Sequence, residues 1–320
     1  MTMTDETTAR LAKAGLDPSY VEELVAQALE EDLDGGVDVT SVATVPFEHE
    51  STADLVARAD GVVAGLPVAA AVFELASDDA VEIDWLAEDG QRVRRGDVLM
   101  SLTAATRALL TGERTALNLL CHLSGVATLT RQWVDAVEGT GAAIRDTRKT
   151  TPGLRALEKY AVRCGGGVNH RMSLSDAALV KDNHVVAAGG VVEAFRAVRA
   201  EFPDLPVEVE ADSVSDAVAA VEAGADLVLL DNMSLRDLRR AVEAVAGRAR
   251  LEASGGLTLR RARAVAETGV DYLAVGALTH SAPVLDIGSD LRPVPPLDDD
   301  APVPLPGSDH ALVVDPPAER

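Results

Sequence analysis

The sequence predicts an α/β protein whose second half is built on a parallel sheet, and three observations carry that reading. Apolar runs recur from residue 142 to 277, each closing on charged, polar or glycine residues: AAIRDTRK (142–149), AALVKDNH (177–184), PVEVEA (206–211), DLVLLDN (226–232), RLEASGG (250–256) and DYLAVGA (271–277). The closing residues Lys181, Glu210, Asp231, Ser254 and Gly276 stand 29, 21, 23 and 22 residues apart, the length of one strand–helix unit. Nearly continuous apolar strands alternating with helices imply a parallel sheet buried on both faces. No GxGxxG turn follows the first of these strands, which favours a barrel over an open dinucleotide-binding sheet.

The elements follow in order. Residues 19–31 have an amphipathic helical pattern ending in Glu30-Glu31-Asp32. Short strands are expected within 52–65 and 82–103. The second stretch has the GxxVxxGDxL turn of biotin- and lipoyl-carrier domains, but it holds no lysine to carry either group. Residues 111–137 place Ala and Leu at helical spacing and predict one long helix. In the repeating half the helices have start and stop signals: Ser213 or Ser215 with Gly224, Ser234 with Gly247, Thr258 with Gly269. Beyond Leu291 the chain turns proline-rich and acidic, a composition that cannot bury a core, and residues 293–320 are expected to be a disordered tail.

Composition bounds the function. The chain has 320 residues with 47% hydrophobic content, enough for a large core, but aromatics are only 3%, so Ala, Val and Leu must fill it. The N-terminal MTMTDETTAR has no apolar segment of the signal-peptide kind, and the longest uncharged run, 61–73, is too short to span a bilayer. A cytoplasmic setting without membrane contact is the expectation. Cys121 and Cys164 make neither a disulfide framework nor a zinc site and are expected to be buried free thiols. A net charge of −23 excludes nucleic acid as a partner, since a phosphate backbone demands a positive footprint. Acid excess with few lysines suits a high-salt proteome, although a GC-rich genome gives the same Arg-for-Lys bias.

Against this acidity, three of the four lysines fall between 149 and 181, and from Arg145 to Lys181 eight Lys/Arg face three Asp/Glu. Such a cluster builds an anion site: an ammonium is a compact donor and a guanidinium adds a planar fork. Arg155, Lys159 and Arg163 at i, i+4 and i+8 also fit a solvated basic helix face, which leaves Arg148, Lys149 and Arg171 unexplained. In a barrel, strand C-terminal ends converge on one mouth, and here they offer Arg148, Lys149, Lys181, Glu210 and Asp231. The late turns Ser254-Gly255-Gly256 and Gly276-Ala277 are small enough to hold phosphate on bare backbone N–H groups. Simpler readings exist for several residues. Lys149 can be a Schiff-base lysine, His170 a structural histidine, and Glu113 and Arg114 a local helix pair. Cys164 has no base placed beside it by sequence, and Asp38 and Thr40 read as structural.

At this point the chain resembles the quinolinate phosphoribosyltransferase family. The matching motifs are EEDLDGGVDVTS (30–41), GERTALNLLCHLSGVAT (112–128), DTRKTTPGLRALEKYAVRCGGGVNHRMSLSD (146–176), KDNH (181–184), EVE (208–210), LLDNMS (229–234), EASGG (252–256) and VGALTHSAPVLDI (275–287). They run in order across about residues 30–290 and are specific as a set. The resemblance implies an N-terminal α/β sandwich (1–115, with 279–292 returning to it) and an incomplete α/β barrel of fewer than eight strands (116–278), of the type II phosphoribosyltransferase kind. It implies a homodimer, with a trimer of dimers as the larger assembly. Quinolinate's two carboxylates would be gripped by Arg148, His170, Arg171 and Lys181, and by Arg114 from the partner subunit. Phosphoribosyl diphosphate (PRPP) would lie over Lys149, Glu210, Asp231, Ser254, Gly255, Gly256, Gly276 and His280. Mg²⁺ would sit mainly on its diphosphate, with Glu210 and Asp231 as protein ligands. Lys149, Glu210 and Asp231 would be the catalytic residues. The products would be nicotinate mononucleotide, diphosphate and CO₂, made for de novo NAD synthesis. Two rivals are a nicotinate-type transferase without decarboxylation and a non-catalytic nucleotide-binding paralogue. The surplus of cations argues against the first, and intact Lys149, Glu210 and Asp231 against the second.

Overall fold

The computed structural model describes residues 2–293. The expected tail falls on 294–320, outside the described residues. The chain opens with α1 (Asp5–Lys13), α2 (Pro18–Leu33) and α3 (Val39–Thr44). Each is started by an acceptor side chain: Thr4, Asp17 and Asp38 take backbone N–H groups of the first turn, and Pro18 occupies the first helical position. Asp38 is thereby a helix cap, which gives its structural reading a specific form. Strands β1 (Glu50–Ala57) and β2 (Gly61–Val62), helix α4 (Leu66–Ala76), and strands β3 (Glu82–Trp85), β4 (Arg92–Val93) and β5 (Val98–Ala105) follow. The 52–65 and 82–103 stretches are thus each broken into shorter strands.

β5 runs directly into α5 (Thr106–Ala136), a single helix of 31 residues whose inner side buries Leu109, Leu117, Leu120, Leu123 and Val126. The repeating half then supplies β6 (Ala143–Arg145), α6 (Arg155–Cys164), β7 (Ala178–Val180), α7 (Asp182–Ala188), α8 (Val191–Glu201), β8 (Val207–Ala211), α9 (Val214–Glu222), β9 (Leu227–Asp231), α10 (Leu235–Val245), β10 (Arg250–Ser254), α11 (Leu259–Ala266), β11 (Tyr272–Ala274) and α12 (Ala277–His280). The last strand, β12 (Ile287–Pro293), returns to the N-terminal strands and pairs antiparallel with β1 in a four-stranded sheet of order β12-β1-β5-β3.

Six strands, β6-β11-β10-β9-β8-β7, form the parallel sheet, fewer than eight as expected. The sheet curls. Neighbouring strands lie about 4.8 Å apart, so a flat sheet would hold β6 and β8 about 19 Å apart. Yet Arg145 Nη1 on β6 lies 2.6 Å from Glu252 on β10 and 3.7 Å from Glu208 on β8. Side chains from alternate strands therefore meet in one layer inside an incomplete barrel. β6 and β7 do not pair, and the seam between them holds the 167–170 segment, where the Val168 N–H donates to Ile144 O at 2.8 Å. Outside, α9, α10 and α11 bury Ala217 and Ala220, Leu238 and Val245, and Ala262 and Val265. Ser213 and Ser234 cap α9 and α10 through their side chains, while Thr258 stands at the start of α11 without a side-chain bond. No helix among the described residues is long and apolar enough to cross a membrane.

Candidate active site

The C-terminal strand ends surround a cleft of about 610 Å³ lined by Arg148, Lys149, His170, Arg171, Lys181, Glu210, Asp231, Ser254 and Gly255. A smaller hollow of about 160 Å³ adjoins it, lined by Gly256, Gly276 and His280. Lys149, Ser254 and Gly255 belong to both. Every sequence-predicted site residue is on one of these two surfaces except Arg114, which lies on the exposed face of α5.

The cleft is electrostatically strained toward anions. Arg148 Nε is shielded from solvent and has no hydrogen-bond partner. Arg171 is held in place by donating to Ala177 O at 2.8 Å, and burial together with the nearby Arg148 charge lowers its pKa. Among the described residues neither guanidinium is ion-paired, although Asp176 and Glu208 lie near enough to act on Arg171, and the two cations together can take a carboxylate from a ligand. Lys181 Nζ stands 3.7 Å from Glu210, and the Lys181 N–H donates to His184 Nδ1 at 3.0 Å, so His184 braces the turn and stays out of the cleft lining. Burial raises the Glu210 pKa, Asp231 and Asp212 raise it further, and Lys181 opposes them. One oxygen from each of Glu210, Asp212 and Asp231 lies within 4.8 Å of the others, a set of hard donors suited to Mg²⁺.

Glycine is required at the phosphate-sized end. Gly255 has φ +88°, and a Cβ there would lie 2.9 Å from the Asn232 backbone N. At Gly276 a Cβ would come within 3.0 Å of Lys149 Cδ and 3.2 Å of His280 Nε2, so a larger residue would have to push these two side chains aside. Thr279 Oγ1 donates to Lys149 O at 2.7 Å and fixes the turn that presents this lysine. Asn232, which the sequence did not single out, lines the cleft in a left-handed backbone (φ 54°) and donates to Asp231 at 2.5 Å.

Beneath the cleft lies a buried charged layer in which the predicted His170 meets three residues the sequence did not single out: Arg145, Glu208 and Glu252. His170 Nε2 is 2.9 Å from Glu208 and 3.7 Å from Glu252. His170 Nδ1 accepts the Arg171 N–H at 2.7 Å, so the ring proton is on Nε2 and both nitrogens face protein partners. Burial and the Glu208 carboxylate push Glu252 up to about 8. The available signal was parity: Glu208 and Glu210, and likewise Glu252 and Ser254, are two residues apart on one strand and share its inner face.

Lys159 is not on a solvated helix face. It is fully buried on α6, ion-paired with buried Asp146, and donates to His170 O at 2.8 Å. Asp146 also accepts the His170 N–H at 2.8 Å and the Asn169 side-chain amide at 2.5 Å. This pair sets the segment that carries His170 and Arg171. Cys164 is an unreactive thiol, pushed up to about 12 chiefly by burial. Both cysteines are half-buried and free.

Comparison with known proteins agrees with this geometry. Residues 38–124 match the family model of the quinolinate phosphoribosyl transferase N-terminal domain, and 126–290 that of its C-terminal domain. A carboxylating nicotinate-nucleotide pyrophosphorylase of Mycobacterium leprae is 55% identical over 271 residues, 83% of this chain and 95% of the relative. A probable one from Bacillus subtilis is 41% identical over 262 residues, 82% and 90% of the two chains. The crystal structure of NadC from Streptococcus pyogenes superposes with a TM-score of 0.84 at 40% identity, over 88% of this chain and 99% of that one. The chain is a member of the quinolinate phosphoribosyltransferase family.

Proposed function

We propose that the protein is a carboxylating nicotinate-nucleotide pyrophosphorylase: it joins quinolinate to PRPP and releases nicotinate mononucleotide, diphosphate and CO₂. The observation that carries this reading is the unpartnered Arg148 guanidinium beside Arg171, in a cleft continuous with a glycine-lined hollow. Arg148, Arg171 and Lys181 take the two pyridine carboxylates, with the Arg171–His170 contact fixing the wall against which the ring lies. His170 acts there through its orientation, because both of its nitrogens are committed. Ser254, Gly255, Gly256, Gly276 and His280 hold the phosphoribosyl end.

As the pyridine nitrogen attacks the ribose carbon and diphosphate departs, positive charge grows on the ribose. Glu210 and Asp231 stabilise that charge, and Lys149 stabilises the leaving group. The quaternised nitrogen then draws electrons from the adjacent ring carbon, whose carboxylate leaves as CO₂ without any organic cofactor. Glu210, Asp231 and the neighbouring Asp212 would hold Mg²⁺, which supplies charge neutralisation for the diphosphate.

The protein acts as a homodimer in which Arg114 enters the partner's site. Arg107, Thr111 and Arg114 fall at i, i+4 and i+7 of α5 and share one side of it. Beside that side, Val37, Val39, Val42 and Phe47 are 63%, 73%, 46% and 77% exposed, an apolar patch that a second copy would cover. Arg107 ties the patch to α5 by donating to Val42 O and Val45 O. The test is an assay of purified protein with PRPP, Mg²⁺ and carboxyl-labelled quinolinate. CO₂ and mononucleotide should appear in equal amounts; mononucleotide without CO₂ would contradict the reading.

A further inference from the structure

The reaction proposed above consumes a proton that none of the roles assigned so far supplies. When CO₂ leaves, the electrons of the broken C–C bond stay on the ring carbon next to the quaternised nitrogen, and that carbon must be protonated. The donor has to line the cleft, hold a proton at neutral pH, and lie where bulk water does not.

Among the described residues, few cleft groups meet all three conditions. Lys149 and Lys181 are exposed. Arg148 and Arg171 are guanidiniums, which do not give up protons. His170 is 8% exposed, and both of its ring nitrogens are committed to protein partners, Nδ1 to the Arg171 N–H and Nε2 to Glu208. Glu252 lines the cleft and is 0% exposed.

The surroundings of Glu252 favour a proton on it. Arg145 on β6 donates to its Oε2 at 2.6 Å, while Glu208 on β8, His170 in the seam and Tyr272 beside it on β11 complete the layer, with Asp146 further out. Two buried carboxylates thus face one guanidinium. Glu252 Oε1 and Glu208 Oε1 are shielded and have no hydrogen-bond partner. An orphaned carboxylate oxygen in such a place is costly. One proton brings the layer to neutrality and turns the orphan acceptor into a donor.

We propose that Glu252 is the acid that protonates the ring carbon vacated by CO₂, with Arg145 and Glu208 as positioning residues. The inference rests on the function proposed above. The step balances. The C–C bond breaks and CO₂ departs without the bonding pair. That pair takes the proton from Glu252 Oε1 to form the C–H bond. Glu252 is left as a carboxylate against Arg145 and regains a proton from water after product release.

The test is Glu252→Gln, which keeps the acceptor for Arg145 and nearly the same volume but carries no acidic proton. Its kcat with quinolinate should fall about 100-fold or more, the range of a lost general acid, with both KM values within about threefold of wild type. Wild-type kcat should decline as pH rises through the Glu252 pKa, because the acid must be protonated, and that decline should be missing from the variant. Glu252→Asp should recover part of the rate together with the decline. Glu208→Gln disturbs the same layer but retains the acid; it removes a charge that raises the Glu252 pKa, so the decline should move to lower pH. A Glu252→Gln enzyme with near wild-type kcat and an unchanged pH profile would overturn the proposal, as would a Glu208→Gln enzyme whose decline stays at the wild-type pH. Wild-type protein that fails to turn over quinolinate sinks the functional reading and this one with it. Active wild type with an indifferent Glu252→Gln sinks this one alone.

Discussion

Asp146→Ala should lower unfolding stability by about 3–5 kcal/mol, because it strands the Lys159 ammonium in the protein interior. Both side chains of the pair are 0% exposed, and among the described residues no other carboxylate is bonded to Lys159. The same change removes the acceptor of the His170 N–H and one of the two acceptors of the Asn169 side-chain amide. The loss should shrink with alkali. Burial holds the Lys159 pKa below its ordinary 10.5 in the folded state. Between the folded and unfolded values the unfolded chain binds more protons, so stability rises with pH through that window, and more so without Asp146. Denaturant titration at pH 7 and pH 10 reads both effects. Adding Lys159→Met should return most of the stability, since no buried charge remains, but not the activity, since the His170–Arg171 segment has lost its anchors. A single variant that loses under about 1 kcal/mol would mean the ammonium is not confined as described.

The second large effect concerns the partner subunit. Arg114→Ala and Lys149→Ala chains should each be nearly inactive alone. Mixed and reassembled, they should recover about a quarter of wild-type activity: half of randomly paired dimers are mixed, and each mixed dimer holds one intact site of two. Activity that stays at the level of the separate variants, with mixing verified by mass, would place Arg114 outside the partner's cleft.

These two predictions mark what the sequence shows and what it hides. The strand ends were legible because each apolar run stops at a residue unlike those before it, and Lys149, Lys181, Glu210, Asp231, Ser254 and Gly276 do border the two cavities. Helix starts at Ser213 and Ser234 were legible because one side-chain oxygen decides them. Lys159 was ambiguous because its spacing with Arg155 and Arg163 suits a solvated face; only the packing of α6 against Asp146 settles it. Glu208, Glu252 and Arg145 were hidden for a different reason. In the one-dimensional pattern they are polar residues in short strands, and they become neighbours only because the sheet curls by four strand positions. Arg114 could be assigned only through resemblance, since nothing within one chain brings it to the cleft.

On the proposed function, one barrel mouth holds two adjoining anion sites, one of them shaped for a dicarboxylate. The most direct measurement compares quinolinate with nicotinate on the same purified protein, with PRPP and Mg²⁺ present. Turnover of quinolinate with CO₂ release, and little or none of nicotinate, is the predicted result; turnover of nicotinate but not quinolinate would contradict it.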